Sequence, residues 1–213
     1  MWGAWCMHGL FRSELSSVSK ELPTIVVLAS GNGSNFQVLA EKSISGELRA
    51  NLKALIVDRP CGAVERAKKL GIEVEMLSKP WHEDLERVLD TLKPDLIVLA
   101  GFMKIIPERI VNKYFPRIVN IHPSLLPAFP GKDAIKQAFD YGVKVTGITI
   151  HFVDAGVDTG PIIFQKAIEI EEGWDLETLE SKIHELEHES YWKVVSNLLY
   201  KAYKIEGRKV RSC

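Results

Sequence analysis

With 213 residues, 46% of them apolar and 26% charged, the chain has the length and composition of one α/β domain with a full core, or of such a domain with a small appendage. Its formal charge of -1, with basic residues grouped only at Arg208, Lys209 and Arg211, gives no case for nucleic acid as a partner. No apolar run approaches the roughly 20 residues needed to cross a bilayer. The scattered Cys6, Cys61 and Cys213 form no C-x-x-C pair, which argues against a disulfide framework and a zinc site and points to the reducing cytoplasm.

In chain order, residues 1–22 read as an irregular extension of unassigned role, with Trp2, Trp5, Met7, Leu10 and Phe11 scattered among polar residues and no secretory pattern. The domain proper spans residues 23–213. It opens at Thr24 to Ala29, an apolar run without alternation, as expected of a strand buried on both faces. A helix through Leu39 follows. Strands over Leu52 to Val57, Glu73 to Met76 and Leu96 to Ala100 alternate with helices over Gly62 to Leu70 and Glu83 to Leu92. This βα alternation predicts a parallel, right-handed crossover sheet with helices on both faces. The run Ile118 to His122 ends at Pro123, which cannot donate to a ladder, so His122 is expected as the last residue of its strand, at the sheet's edge. Val145 to Val153 and Ile162 to Ile170 then read as an antiparallel hairpin at that edge. Asp175 caps a long amphipathic helix, marked by Leu176, Leu179, Ile183, Leu186, Val194, Leu198 and Leu199, that closes the domain.

Three stretches carry chemistry. Ser30-Gly31-Asn32-Gly33-Ser34-Asn35 lies between a buried strand and a helix, where glycines turn the backbone and a helix N-terminus favours an anion; phosphate binding and a purely structural turn both fit. Leu99 to Pro107 can line a slot for a flat ring, or Phe102, Met103, Ile105 and Ile106 can be core. Asn120 and His122, two apart on one strand, face one space. Asp158, in a turn held by Gly156, Gly160 and Pro161, is placed to raise the pKa of His122 and orient it as a proton donor, or to satisfy its own loop.

The motifs Gly31-Asn32-Gly33-Ser34-Asn35, Ala100-Gly101-Phe102-Met103, Asn120-Ile121-His122-Pro123-Ser124-Leu125-Leu126-Pro127, Pro130-Gly131 and Asp158-Thr159-Gly160-Pro161 resemble, in order and spacing, those of the glycinamide ribonucleotide formyltransferases. The resemblance runs over residues 24–203. It implies a single Rossmann-like formyltransferase domain, with a phosphate-binding N-terminal half and a folate-binding, catalytic C-terminal half. It further implies transfer of a formyl group from the co-substrate 10-formyltetrahydrofolate to the amine of 5-phosphoribosylglycinamide in purine synthesis, with no metal. The catalytic residues it implies are Asn120, His122 and Asp158, with His151 as a neighbour. Gly33, Ser34, Asn35, Glu187 and His184 are assigned to the ribonucleotide, and Met103, Lys104, Ile105, Ile106, Asn120 and Asp154 to the folate. Lys104 and His184 stand where the family often has Arg and Gln. The implied partners are small molecules only, without nucleic acid or membrane, and homo-oligomerisation is left open. A non-catalytic nucleotide-phosphate module and a formyl-tetrahydrofolate hydrolase are the rival readings.

Overall fold

The computed structural model of the chain describes residues 5–7 and 21–213. A short strand, β1 (Trp5–Met7), precedes the βα alternation of β2 (Thr24–Ala29), α1 (Ser34–Ile44), β3 (Asn51–Val57), α2 (Gly62–Leu70), β4 (Glu73–Met76), α3 (Trp81–Leu92) and β5 (Leu96–Leu99). Then come α4 (Glu108–Tyr114), β6 (Ile118–His122), α5 (Ala134–Tyr141), β7 (Val145–Phe152), β8 (Ile162–Glu169), the 25-residue α6 (Leu176–Tyr200), β9 (Tyr203–Glu206) and β10 (Lys209–Ser212). The strands form one sheet in the order β1-β9-β10-β8-β7-β6-β5-β2-β3-β4. From β4 to β6 all neighbours are parallel, while β6–β7 and β7–β8 are antiparallel.

The central strands read as continuous apolar runs because both of their faces are covered. Ile25, Val27 and Ala29 point into a core closed by Phe36 and Leu39 of α1, Ala63 and Ala67 of α2, and Ile183 and Val195 of α6. Their neighbours Val26 and Leu28 point the other way, against Leu85 and Leu89 of α3 and Ile110 of α4. Successive strand side chains alternate faces, so a single strand feeds two cores. Each fully buried Leu or Ile contributes about 1.5–3 kcal/mol, and a Leu28→Ala cavity between layers costs about 2–5 kcal/mol. The first turn of α6 is fixed by Asp175, whose Oδ1 accepts from the Thr178 N–H at 2.8 Å.

Several expectations need correction. His122 does end β6, but β6 lies inside the sheet between β5 and β7, so the residue is at the sheet's C-terminal rim and not at a lateral edge. The β7–β8 hairpin is not terminal either, because β10 pairs with β8 in parallel and β9 and β1 extend the sheet further. The chain therefore continues past α6. Nor is the N-terminal extension wholly irregular: Trp5–Met7 pairs antiparallel with β9, while residues 1–4 and 8–20 lie outside the described residues. Helices α4 and α5 join the predicted ones. No helix among the described residues is long and apolar enough to cross a membrane.

From β2 the chain winds outward through β3 and β4, then returns to place β5 on the other side of β2. The strand order reverses there. The loops leaving β2 and β5 border this switch point, the place where such sheets bind ligands.

Candidate active site

The loop after β2 enters α1 through Gly33, whose φ of 78° is left-handed and whose added Cβ would lie 2.5 Å from the Ala63 Cβ. No larger residue fits. Helix α1 then starts at Ser34 with neither a side-chain cap nor an acidic residue in its first turn, so its partial positive charge is available to an anion. Asn35, in that first turn, donates from Nδ2 to Glu187 Oε2 at 2.9 Å. Glu187 sits on the buried stripe of α6, and burial pushes its carboxyl up to about 7 against the opposing hydrogen bond from Asn35. His184, one turn earlier and exposed, stacks on His188 with ring centroids 6.5 Å apart.

The loop after β5 is tied to the loop after β2. The Ser30 N–H donates to the Gly101 carbonyl at 3.1 Å, and the Met103 N–H donates to Ser30 Oγ at 2.9 Å. Met103 and Ile105 are 56% and 66% exposed, so these two are not core residues; Ile106 is buried, and Phe102 packs edge-on against Trp81. Lys104 is exposed.

Asn120 and His122 leave β6 toward the same side, opposite His151 and Thr149 of β7 in the antiparallel register. His122 is 4% exposed. Its Nε2 donates to the Phe129 carbonyl at 2.8 Å, and its Nδ1 lies 3.3 Å from Asp158 Oδ2. That same Oδ2 accepts from the Gly131 N–H at 2.8 Å, so the segments 124–131 and 154–160 meet around the ring. The other oxygen, Oδ1, is 3.5 Å from His151 Nε2. His151 Nδ1 donates to the Phe152 carbonyl at 2.8 Å, and its Nε2, besides facing Asp158, lies 3.4 Å from Asn120 Nδ2. An N–H of the Asn120 amide is left for a ligand.

Burial pushes His122 below its ordinary value of 6.5 and outweighs the Asp158 charge and the Phe129 carbonyl, both of which raise it. Asp158 thus raises this pKa as expected, but desolvation of a nearly enclosed ring disfavours the cation more than one carboxylate favours it, and the net shift is downward. For Asp158 the balance is reversed. Burial pushes it up, but the His151 hydrogen bond, the Gly131 N–H and the nearby His122 together hold it below the usual carboxylate value. The loop conformation is also specific, since Asp158 has a φ of 53°, which non-glycine residues rarely adopt. Asp154, not Asp158, satisfies its own loop, accepting from the Gly156 N–H and the Thr159 hydroxyl.

A cavity of about 540 Å³ is lined by Asn120, His122 and Asp158 together with Met103, Lys104, Ile105, Ile106 and Asp154. Gly33, Ser34, Asn35, His184 and Glu187 lie outside its lining; Glu187 meets Asn35 at the start of α1, while His184 is one turn away on the exposed side of α6. Other supports carried no signal in the sequence. The Phe129 carbonyl and Gly131 amide are backbone groups. Thr149 donates to the Ser124 carbonyl and accepts from the Leu126 N–H, which pins the segment after Pro123. Only its same-face spacing with His151 hinted at it. Tyr191, fully enclosed, donates to the Leu99 carbonyl at 2.7 Å and braces the end of β5.

At this Rossmann-like switch point Asn120, His122 and Asp158 converge beside a loop of exposed apolar residues, and the comparisons place the chain among the formyl transferases. The formyl transferase family model matches residues 24–195. The phosphoribosylglycinamide formyltransferase of Bacillus subtilis (strain 168) is 45% identical over 81% of this chain and 93% of its own length. The enzyme of the same name from Mycobacterium tuberculosis (strain ATCC 25618 / H37Rv) is 38% identical over 86% of this chain and 88% of its own. The crystal structure of glycinamide ribonucleotide transformylase 1 from Symbiobacterium toebii superposes with a TM-score of 0.87 at 37% identity, covering 93% of this chain and 98% of that one. The chain belongs to the phosphoribosylglycinamide formyltransferase family.

Proposed function

We propose that this enzyme transfers the formyl group of 10-formyltetrahydrofolate to the amine of 5-phosphoribosylglycinamide, giving the N-formyl product and tetrahydrofolate in de novo purine synthesis. The observation that carries the reading is the convergence of Asn120, His122 and Asp158 on one cavity whose other wall is the Met103 to Ile106 loop. In this reading the folate occupies the cavity, against Met103 to Ile106 and Asp154. The ribonucleotide lies toward Gly33, Ser34 and Asn35, with Glu187 and His184 at its ribose end. The domain then divides into a phosphate-binding N-terminal half and a folate-binding, catalytic C-terminal half, and Glu187 reaches across to Asn35.

The amine attacks the formyl carbon, a C–N bond forms, and the former carbonyl oxygen becomes an oxyanion. The uncommitted N–H of Asn120 stabilises that charge, joined by the Nδ1–H of His122 once that nitrogen has taken up the proton of the attacking amine. The depressed pKa of His122 supports a ring that starts neutral. Its Nδ1 takes up the proton released by the attacking amine, directly or through water, and Asp158 stabilises the resulting imidazolium across 3.3 Å. Return of that proton to N10 accompanies cleavage of the C–N10 bond and releases tetrahydrofolate. The remaining barrier reduction comes from holding two substrates in contact.

Formyl transfer followed with both substrates tests the assignment. His122→Ala is expected to keep its circular dichroism spectrum and lose about 10²- to 10³-fold in kcat, the scale of one oxyanion donor. Near-normal turnover in that variant refutes the role of His122.

A further inference from the structure

The proposed phosphate turn is held from outside by α2, a helix to which the sequence reading assigns no part in the site. We propose that Arg66 is a positioning residue for the phosphoribosyl substrate, locking the Asn32–Gly33 turn so that the first amides of α1 are presented to the phosphate. This rests on the reading of that turn as the phosphate site. The guanidinium donates from Nε to the Asn32 main-chain carbonyl at 2.8 Å and from Nη2 to Asn32 Oδ1 at 3.1 Å. Its Nη1 donates to Gln37 Oε1, one turn into α1. One planar fork thus joins both sides of the turn, a geometry that a lysine ammonium does not reproduce.

Packing makes the coupling stiff. The Ala63 N–H at the start of α2 donates to the Gly31 carbonyl at 3.1 Å. A Cβ on Gly62 would sit 3.1 Å from three atoms of Asn32, and the contact of Gly33 with Ala63 is tighter still. Any displacement of α2 is therefore passed to the turn. The charge matters as well. Arg66 is half-buried and has no carboxylate partner among the described residues, so its positive field is not cancelled at the turn. That field reaches α6: burial first, then His184, then Arg66 hold His188 below its ordinary value. Arg66 and the N-terminus of α1 act in the same direction on a dianionic phosphate.

The test compares binding of the ribonucleotide and of its dephosphorylated ribosyl analogue to the full-length enzyme by calorimetry, with melting temperatures recorded. Arg66→Met is expected to weaken the ribonucleotide by roughly 10- to 100-fold, the range for charge-assisted hydrogen bonds, and to leave the analogue unchanged, so that the preference for phosphate is lost. The KM for the formyl-folate and kcat are expected to stay within about twofold on the same grounds. Arg66→Lys, which keeps the charge without the fork, recovers part of the preference and substitutes if Arg66→Met does not fold. A variant that retains the full phosphate preference, or that weakens both ligands equally, overturns the role of Arg66 while leaving the turn assignment intact. A wild-type enzyme that binds both ligands alike overturns the turn assignment itself.

Discussion

Glu187→Gln isolates the cost of a buried carboxylate in this fold. The Glu187 carboxyl is 5% exposed, and burial pushes it up to about 7 in the folded chain, against 4.5 for the ordinary side chain. The folded state therefore binds more protons than the unfolded state between these values, and stability falls as pH rises through that window. At 1.36 kcal/mol per pH unit the full loss is about 3 kcal/mol, complete just above pH 7 and nearly absent below 4.5. Glutamine cannot ionise, yet its carbonyl still accepts the Asn35 Nδ2 hydrogen that Glu187 accepts at 2.9 Å. Denaturant melts of the unliganded enzyme at pH 5 and pH 8.5 measure the difference. The stability of the glutamine variant relative to the parent is expected to rise by about 2.5 kcal/mol between these conditions. In thermal melts at the higher pH this corresponds to roughly 5–10 °C in its favour, from the entropy of unfolding of a domain of this size. A gap between the two proteins that stays constant within about 0.5 kcal/mol refutes the argument, since Glu187 would then carry the same proton in both states.

Asp158→Asn keeps a side chain that tolerates the left-handed backbone and an oxygen for the Gly131 N–H, but loses the charge beside His122. It is expected to melt near the parent temperature and to lose about 10²- to 10⁴-fold in kcat, the usual worth of general acid–base assistance. In the parent, NMR titration of the His122 ring is expected to give a midpoint below 6.5. Because Asp158 raises that pKa, the same titration in Asp158→Asn moves lower still; an upward shift contradicts the assigned electrostatics. Gly160→Ala places a Cβ 1.7 Å from the Phe152 carbonyl oxygen, so the loop bearing Asp158 has to move. A destabilisation of about 1–3 kcal/mol with a marked fall in kcat is expected, and an unchanged melt and rate show that the loop adapts freely.

The parallel half of the fold was legible because burial on both faces writes itself into the chain as apolar runs such as Thr24 to Ala29 and Leu96 to Ala100. The C-terminal additions were not. In β9, Tyr203 and Ile205 are buried while Lys204 and Glu206 face outward, an alternation only four residues long that follows a 25-residue helix and resembles a charged tail. Helices α4 and α5, of seven and eight residues, are too short to establish a helical period. Within the site, the same-side placement of Asn120 and His122 followed from strand geometry. The partners of His122 on its far side did not, because a Phe129 carbonyl and a Gly131 amide have no letter in the sequence.

The protonation state of His122 shows where sequence reasoning meets its physical limit. An Asp and a His in adjacent loops suggest an ion pair, and the inference to a raised histidine pKa is sound for a ring open to water. At 4% exposure the ring loses its hydration, and the sign of the sum changes. Burial is a property of the assembled layers: Ile118 and Val119 set β6 inside the sheet, and Thr149, Ser124 and Leu126 fold the following segment over the ring. A neutral histidine held against an ionised aspartate is better suited to take a proton from an attacking amine than a permanent imidazolium, which has none to accept. Enclosure thus turns a charge-stabilising pair into a proton-transfer pair, and opening the 124–131 segment to water should drive His122 back toward its ordinary value while slowing transfer.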